Sequence, residues 1–236
     1  LFVIPCTLGL VQPDAVLPRR TLDVARELTH FVAETPKTTR RFLKEIDGGS
    51  PLRSVDIAEL SEHTPRERVA GLLKPALSGA DLGLISDAGC PGIADPGALL
   101  VAAAHRAGIE VVPLPGSSAI MLALMASGLN GQAFAFHGYL PIKPGARATA
   151  IKALDDALTR SGATQIFIDT PYRNEAIVEA VVATCRGSTQ FCVAADLTLA
   201  SEQVVSRTIA GWREAARPAL ARRPAVFLLG RPELPP

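Results

Sequence analysis

The sequence predicts an α/β protein of two domains: residues 1–130 on a mainly parallel sheet with flanking helices, and residues 131–236 on a mixed sheet. Three observations predict it. Short β-branched runs alternate with single helical patterns through the first half, glycine and asparagine gather in GLNGQA at 128–133, and two later strand candidates are joined only by LTLASE at 197–202. A parallel crossover needs about a dozen residues, which a helix supplies, whereas a short polar connection makes an antiparallel pair.

In chain order the first-domain strands are LFVI (1–4), FVAE (31–34), SVDIAEL (54–60), LGLIS (82–86) and IEVVPL (109–114), each a short run rich in β-branched or aliphatic residues. Between them, Leu22, Ala25 and Leu28 form one apolar stripe. Val69, Leu72, Leu73, Ala76 and Leu77 form a second, and Leu99, Leu100, Ala103 and Ala104 a third, all at helical spacing. A helix over Ser118–Ser127 leads into GLNGQA, the expected inter-domain hinge. Strands then follow at FAFHGYL (134–140), TQIFID (164–169), QFCVAAD (190–196), QVVSRTI (203–209) and AVFLLG (225–230), with helices near 146–160 and 173–186.

The bulk properties bound the function. At 236 residues with a formal net charge of +1, the chain has ample length for a core and no global field that would attract nucleic acid. Its densest apolar stretch, Ala119–Ala126, falls far short of the roughly 20 residues of a membrane span, so a soluble protein is expected. The opening LFVIP lacks a basic n-region and reads as a core strand, not a signal peptide. Cys6, Cys90, Cys185 and Cys192 show neither disulfide nor metal-ligand spacing, which predicts a reducing cytoplasm and no metal site. Local basic clusters remain at Lys37, Arg40 and Arg41, and at Lys143 and Arg147.

Chemistry is concentrated in GLISDAGCPGIADPG (83–97). Asp95 is a suitable N-cap and Pro96 a suitable first helical residue, which leaves a loop of about 86–94 at the carboxyl end of a parallel strand, where open α/β sheets bind ligands. Asp87 stands there, Gly89 and Gly92 let a ligand approach the main chain, and Pro91 stiffens the turn. PLPGSSA (113–119) repeats the pattern ahead of the next helix, which Ser117 or Ser118 could cap. After the first strand PCTLG (5–9) replaces a GxGxxG fingerprint, and no GxxxxGK[ST] loop exists, which argues against nicotinamide and nucleoside triphosphates. A proline-stiffened loop suits a ligand with positive charge and hydroxyls, and S-adenosylmethionine is such a ligand.

Taken in order, LFVIPCTLG, FVAET, LISDAGCPGIADPG, GIEVVPLPGSSAIMLALMASGL, FAFHGYLPIK and IFIDTPYR resemble the tetrapyrrole methylase superfamily of S-adenosylmethionine-dependent methyltransferases. Within it they are most similar to the subfamily that methylates ribose 2′-oxygens of small-subunit ribosomal RNA. The resemblance implies the tetrapyrrole methylase fold, a homodimer, and a methyl donor in the cleft between two α/β domains. Its implied donor contacts are Leu8, Asp87, Gly89, Cys90, Ile93, Ser118 and Ala119, with Ile168, Asp169 and Leu197 from the second domain. For the acceptor it points to His137, Lys143, Tyr172 and Arg173, with Glu34 as a further candidate base. No catalytic residue is assigned, because alignment of donor and acceptor is the main requirement of methyl transfer. The subfamily's AEDTR pattern stands here as AETPK (33–37), its YES-P-HR-like stretch as IDTPYR (168–173), and the chain stops at Pro236 without a further helical segment. Those departures fall where an acceptor is expected. Two other readings stay open, a methyltransferase for a tetrapyrrole or other small acceptor and a non-catalytic S-adenosylmethionine-binding protein.

Overall fold

The computed structural model describes residues 1–47 and 54–231, so the chain end at Pro236 lies outside the described residues. The chain divides into two compact units, Leu1–Ser118 and Ala119–Pro236. In the first, β1 (Phe2–Val3), β2 (His30–Ala33), β3 (Asp56–Glu59), β4 (Leu82–Ile85) and β5 (Val112–Pro113) form one sheet in the order β3-β2-β4-β1-β5. Every pairing in it is parallel. The alternating pleat sends neighbouring residues to opposite faces. Phe31 and Ile85 join Leu22, Ala25, Phe42 and Leu43 on one face, whereas Val32, Leu82 and Leu84 join Val69, Leu73, Leu100 and Ala104 on the other. Burial on both faces explains why the central β2 and β4 read as nearly unbroken apolar runs, whereas the edge strand β3 keeps exposed Asp56 and Glu59.

Two helical regions depart from the periodicity. The stripe from Val69 to Leu77 predicts one helix, but the segment is broken into Arg66–Val69, a 3-10 turn at Ala70–Leu73 and Lys74–Leu77. Gly71 weakens a helix and Pro75 removes a backbone donor, so Leu77 ends 63% exposed instead of buried. Conversely, Pro36–Ile46 is a full helix that none of the stripes above includes. Its buried Thr39, Phe42, Leu43 and Ile46 follow helical spacing, with Pro36 at the start.

The second unit carries β6 (Phe134–Tyr139), β7 (Thr164–Ile168), β8 (Gln190–Ala195), β9 (Gln203–Thr208) and β10 (Ala225–Gly230) in the order β6-β7-β10-β8-β9. Among these strands only β6 and β7 pair in parallel; the other three pairings are antiparallel, including the pair joined by LTLASE. Helices Pro144–Ser161 and Asn174–Thr184 bury Ile151, Leu158, Ile177 and Val181 against Phe167, Phe191, Phe227 and Trp212. The Trp212 indole donates to the Phe191 carbonyl at 2.8 Å, which satisfies the only polar atom of that buried side chain.

The helix Ala119–Ser127 lies against β8, β9 and β10, and Ser206 Oγ donates to its Ser127 carbonyl at 2.9 Å. The units therefore divide ahead of this helix, not at the 130/131 boundary that the glycines suggest. GLNGQA is a turn inside the second unit, closed by Gln132 N–H on Asn130 Oδ1 at 2.8 Å. Among the described residues no helix is long and apolar enough to cross a membrane. All four cysteines are unpaired.

Candidate functional site

Because the first sheet is wholly parallel, the segments after β1, β2, β4 and β5 leave its strands at one edge. Hydrogen bonds tie these segments together. Cys6 N–H donates to the Gly89 carbonyl at 2.9 Å, and its thiol donates to the Ser86 carbonyl at 3.1 Å. Asp87 joins the loops after β4 and β2: its N–H donates to Glu34 Oε2 at 3.3 Å, and its Oδ2 accepts the Thr35 hydroxyl at 2.8 Å. The Cys90 thiol donates to the Ser117 carbonyl at 3.4 Å, and Ser117 Oγ donates to the Val16 carbonyl at 3.0 Å. Ser117 therefore anchors a loop and does not serve as a helix cap.

Close backbone approach explains two of the glycines. Gly89 has φ +69°, and a Cβ there would lie 3.1 Å from Leu8 Cδ2. At Gly116 a Cβ would lie 2.4 Å from Pro5 Cβ, so only glycine lets the post-β5 loop meet the post-β1 loop. The strain extends to Ala94, at φ +63°, just before Asp95. Asp95 accepts Gly92 N–H at 2.8 Å and Gly97 N–H at 2.7 Å. It thus caps from one position outside the helix, which begins at Gly97 with Pro96 in the N-cap position, and the same carboxylate clips the loop shut.

Thr7, Leu8, Thr38, Thr39, Arg41 and Asp87 are among the residues lining a cleft of about 290 Å³ at this edge. Gly89 is buried, Cys90 half-buried, and Ile93 is 48% exposed beside them in the same loop. Ser118 ends the first unit and Ala119 opens the second. Thr38, Thr39, Phe42 and Glu45 line the cleft without having been singled out by any motif, and Arg41 joins them from what the sequence showed only as a basic cluster; the signal for them was the apolar spacing of the helix Pro36–Ile46.

In the second unit β7 and β8 both run antiparallel to β10, so their carboxyl ends share an edge beside the start of β10. Ile168, Asp169 and Leu197 lie at that edge. Asp169 Oδ1 accepts Thr170 N–H and Arg173 Nε, each at 2.6 Å, and also the Arg173 terminal nitrogen. Its Oδ2 is buried without a hydrogen-bond partner, and Leu197 is 7% exposed. Arg173 is thus committed to a carboxylate, while its neighbour Tyr172 is 81% exposed. His137 is exposed on β6 with its Nε2 2.8 Å from Gln165 Oε1. Lys143 is exposed just ahead of the helix Pro144–Ser161, whereas Arg147 is buried in that helix and donates to the Ile142 carbonyl at 3.4 Å. Arg147 therefore does not belong to an exposed basic rim.

A family model described as Tetrapyrrole (Corrin/Porphyrin) Methylases matches residues 11–211. The chain belongs to this family of methyltransferases. It is 39% identical over 82% of its length to Ribosomal RNA small subunit methyltransferase I of Xylella fastidiosa, covering 68% of that protein. Proteins of the same name from Vibrio cholerae and Pseudomonas aeruginosa are 31% and 37% identical over 89% and 73% of the chain, which covers 69% and 57% of them. The chain thus spans between 57% and 69% of the length of these relatives. Solved structures of the methyltransferase CobJ and of diphthine synthase share its fold. Their TM-scores are 0.65 and 0.62 at 19% and 15% identity, over 98% of this chain and 93% and 88% of theirs.

The electrostatics of this tetrapyrrole methylase-family chain argue against a thiol nucleophile. Burial pushes the Cys6 and Cys185 thiols up to about 12 and Cys192 up to about 11, and burial together with Asp95 raises Cys90. Burial also raises the Glu34 carboxyl above its ordinary value, aided by the charges of Asp87, Asp95 and Glu62 and opposed by the bond from Asp87 N–H. Among the described residues no group of His, Cys, Asp and Glu could hold a metal ion.

Proposed function

We propose that the chain is an S-adenosylmethionine-dependent methyltransferase that acts on RNA, at a ribose 2′-oxygen of small-subunit ribosomal RNA, as a cytoplasmic homodimer. The observation that carries this reading is 39% identity, over 82% of the chain, to a protein named Ribosomal RNA small subunit methyltransferase I. Its support in the residues is chemical. Leu8, Asp87, Gly89, Cys90, Ile93, Ser118 and Ala119 offer a carboxylate, a hydroxyl and aliphatic contacts, which suit a ligand with a cation, ribose hydroxyls and an aromatic base. Ile168, Asp169 and Leu197 are donor contacts of the second unit, where the unpartnered buried Asp169 Oδ2 calls for a hydrogen-bond donor such as a ribose hydroxyl or an amino group.

When bound, S-adenosylmethionine supplies a methyl group activated by a sulfonium. The chain's residues hold the two reactants in line, a task worth roughly 7–11 kcal/mol. Glu34, made more basic by burial, is the first-unit carboxylate suited to accept the hydroxyl proton. His137, Lys143, Tyr172 and Arg173 serve the acceptor, Arg173 by fixing the turn that presents Tyr172.

Transfer of a labelled methyl group to small ribosomal subunits from a strain lacking the corresponding gene tests the proposal. The expected result is label in ribosomal RNA at a single 2′-O-methylated nucleotide. Label entering a porphyrinoid acceptor instead, or entering nothing although the methyl donor binds, would replace it by one of the other two readings.

A further inference from the structure

Tyr172 sits in the 3-10 turn Pro171–Arg173 after β7 and is 81% exposed. Single exposed aromatics are common and by themselves mean little. Here a second residue is arranged around the ring: the Arg222 guanidinium lies over it, 6.0 Å from its centroid. Arg222 reaches that place with φ +62°, a left-handed backbone that arginine rarely adopts.

The surrounding contacts impose this conformation. Arg222 N–H donates to the Pro171 carbonyl at 3.3 Å, tying the two turns directly. The buried Asn174 amide donates to the Leu220 and Arg223 carbonyls at 3.0 and 2.6 Å. Arg223 points inward, donating to Asp196 Oδ2 at 2.7 Å and to the Ser201 and Ala219 carbonyls at 2.6 and 2.9 Å. One arginine of the pair thus clamps the turn and the other is displayed from it in a strained conformation. Such strain persists where the structure over-determines it, and it gathers at binding sites.

We infer that Tyr172 and Arg222 form a stacking platform for an unpaired RNA base beside the methylated nucleotide. This inference rests on the RNA methyltransferase reading above. A flat exposed ring with a guanidinium on one face matches a nucleobase, which stacks on aromatic and arginine planes alike. The segment 215–224 that supplies Arg222 also carries Arg217 and no Asp or Glu, and the charge of its Arg223 is already met by Asp196, so Arg222 and Arg217 are the charges it offers to a polyanion in preference to an acidic or mixed-charge protein surface. The site recognises the base by its face and is indifferent to its identity.

Three variants of the intact chain test the platform: Tyr172→Ala, Tyr172→Phe and Arg222→Ala. Binding is read by quenching of a single-stranded RNA decamer carrying 2-aminopurine, and transfer by the kinetics of small-subunit RNA methylation. Tyr172→Ala is expected to abolish the quench and raise KM for RNA by roughly tenfold, with kcat and S-adenosylmethionine affinity little changed. Tyr172→Phe keeps the ring and is expected to keep both properties, and Arg222→Ala to lose part of each. If the wild type methylates RNA while Tyr172→Ala quenches and saturates like it, the platform is overturned and the methyltransferase reading stands. The platform also falls if Tyr172→Phe is as impaired as Tyr172→Ala, or if both variants lose only binding to a ribosomal protein. Absence of transfer to any RNA overturns the reading and the platform together.

Discussion

Asp87 combines exposure with fixed geometry: Thr35 and Glu34 hold it at the end of β4, yet its side chain remains open to solvent. Replacing an exposed side chain away from any core contact changes stability little, whereas a lost charge-assisted ligand bond is worth about 1.5–3 kcal/mol. Asp87→Ala is therefore expected to weaken S-adenosylmethionine binding by roughly ten- to a hundredfold in calorimetry while leaving the melting temperature nearly unchanged. Glu34 makes a complementary prediction in pH. Its folded carboxyl titrates above the ordinary value of 4.5, so between that value and its folded pKa the folded state keeps a proton that the unfolded chain has lost. Stability consequently falls as pH rises through that window, and Glu34→Gln, measured by urea unfolding across acid pH, is expected to flatten the fall. Asp95, raised in the same direction by burial, leaves a residual slope. The position of Asp87 and Gly89 in a tight loop after β4 was legible in the sequence because glycine, proline and an acid after a strand have a direct physical meaning. The role of Ser117 was not legible, since its partner Val16 lies 101 residues away.

At the scale of elements, the strands were legible because burial on two faces, or on one, leaves a simple pattern. Helices whose support comes from a single start signal were harder. Pro36–Ile46 begins with a proline and carries exposed Lys37, Arg40 and Lys44 between its buried residues, so its charges masked its apolar face. The segment 66–77 failed for the opposite reason: the apolar spacing was regular, but Gly71 and Pro75 interrupt the backbone that would have used it. The helix Gly97–Arg106 depends on Asp95, whose carboxylate accepts from both the helix start and Gly92 in the loop. Removing a capping carboxylate costs about 0.5–2 kcal/mol, and here it also frees the loop. Asp95→Ala is expected to lower the unfolding free energy in urea by that amount and to weaken S-adenosylmethionine binding as well, whereas Asp95→Asn retains a capping oxygen and is expected to fall between. Equal affinity for the methyl donor in all three proteins would mean that the clipped loop takes no part in binding it.

Each unit carries its own hydrophobic core, and the net charge of the whole chain is only +1, so a polyanion has no broad basic field to follow. RNA affinity must then come from a few local contacts, and their number is measurable. Each phosphate neutralised on single-stranded RNA contributes about −0.7 to the slope of log K against log salt. Lys37, Arg40 and Lys143 are exposed, whereas Arg147, which clusters with Lys143 in the sequence, is 8% exposed and bonded to the Ile142 carbonyl. The double variant Lys37→Ala, Arg40→Ala is therefore expected to make the slope shallower by about 1.4, with an unchanged melting temperature. Arg147→Ala is expected to do the reverse, leaving the slope intact and destabilising the second unit by about 1–3 kcal/mol through loss of its packed stem. Because Trp212 is the only tryptophan and is buried in the second unit's core, its fluorescence reads that loss directly. A salt slope that ignores Lys37 and Arg40 but responds to Arg147 would show that the RNA-contacting charge lies on the second unit and not on the helix Pro36–Ile46.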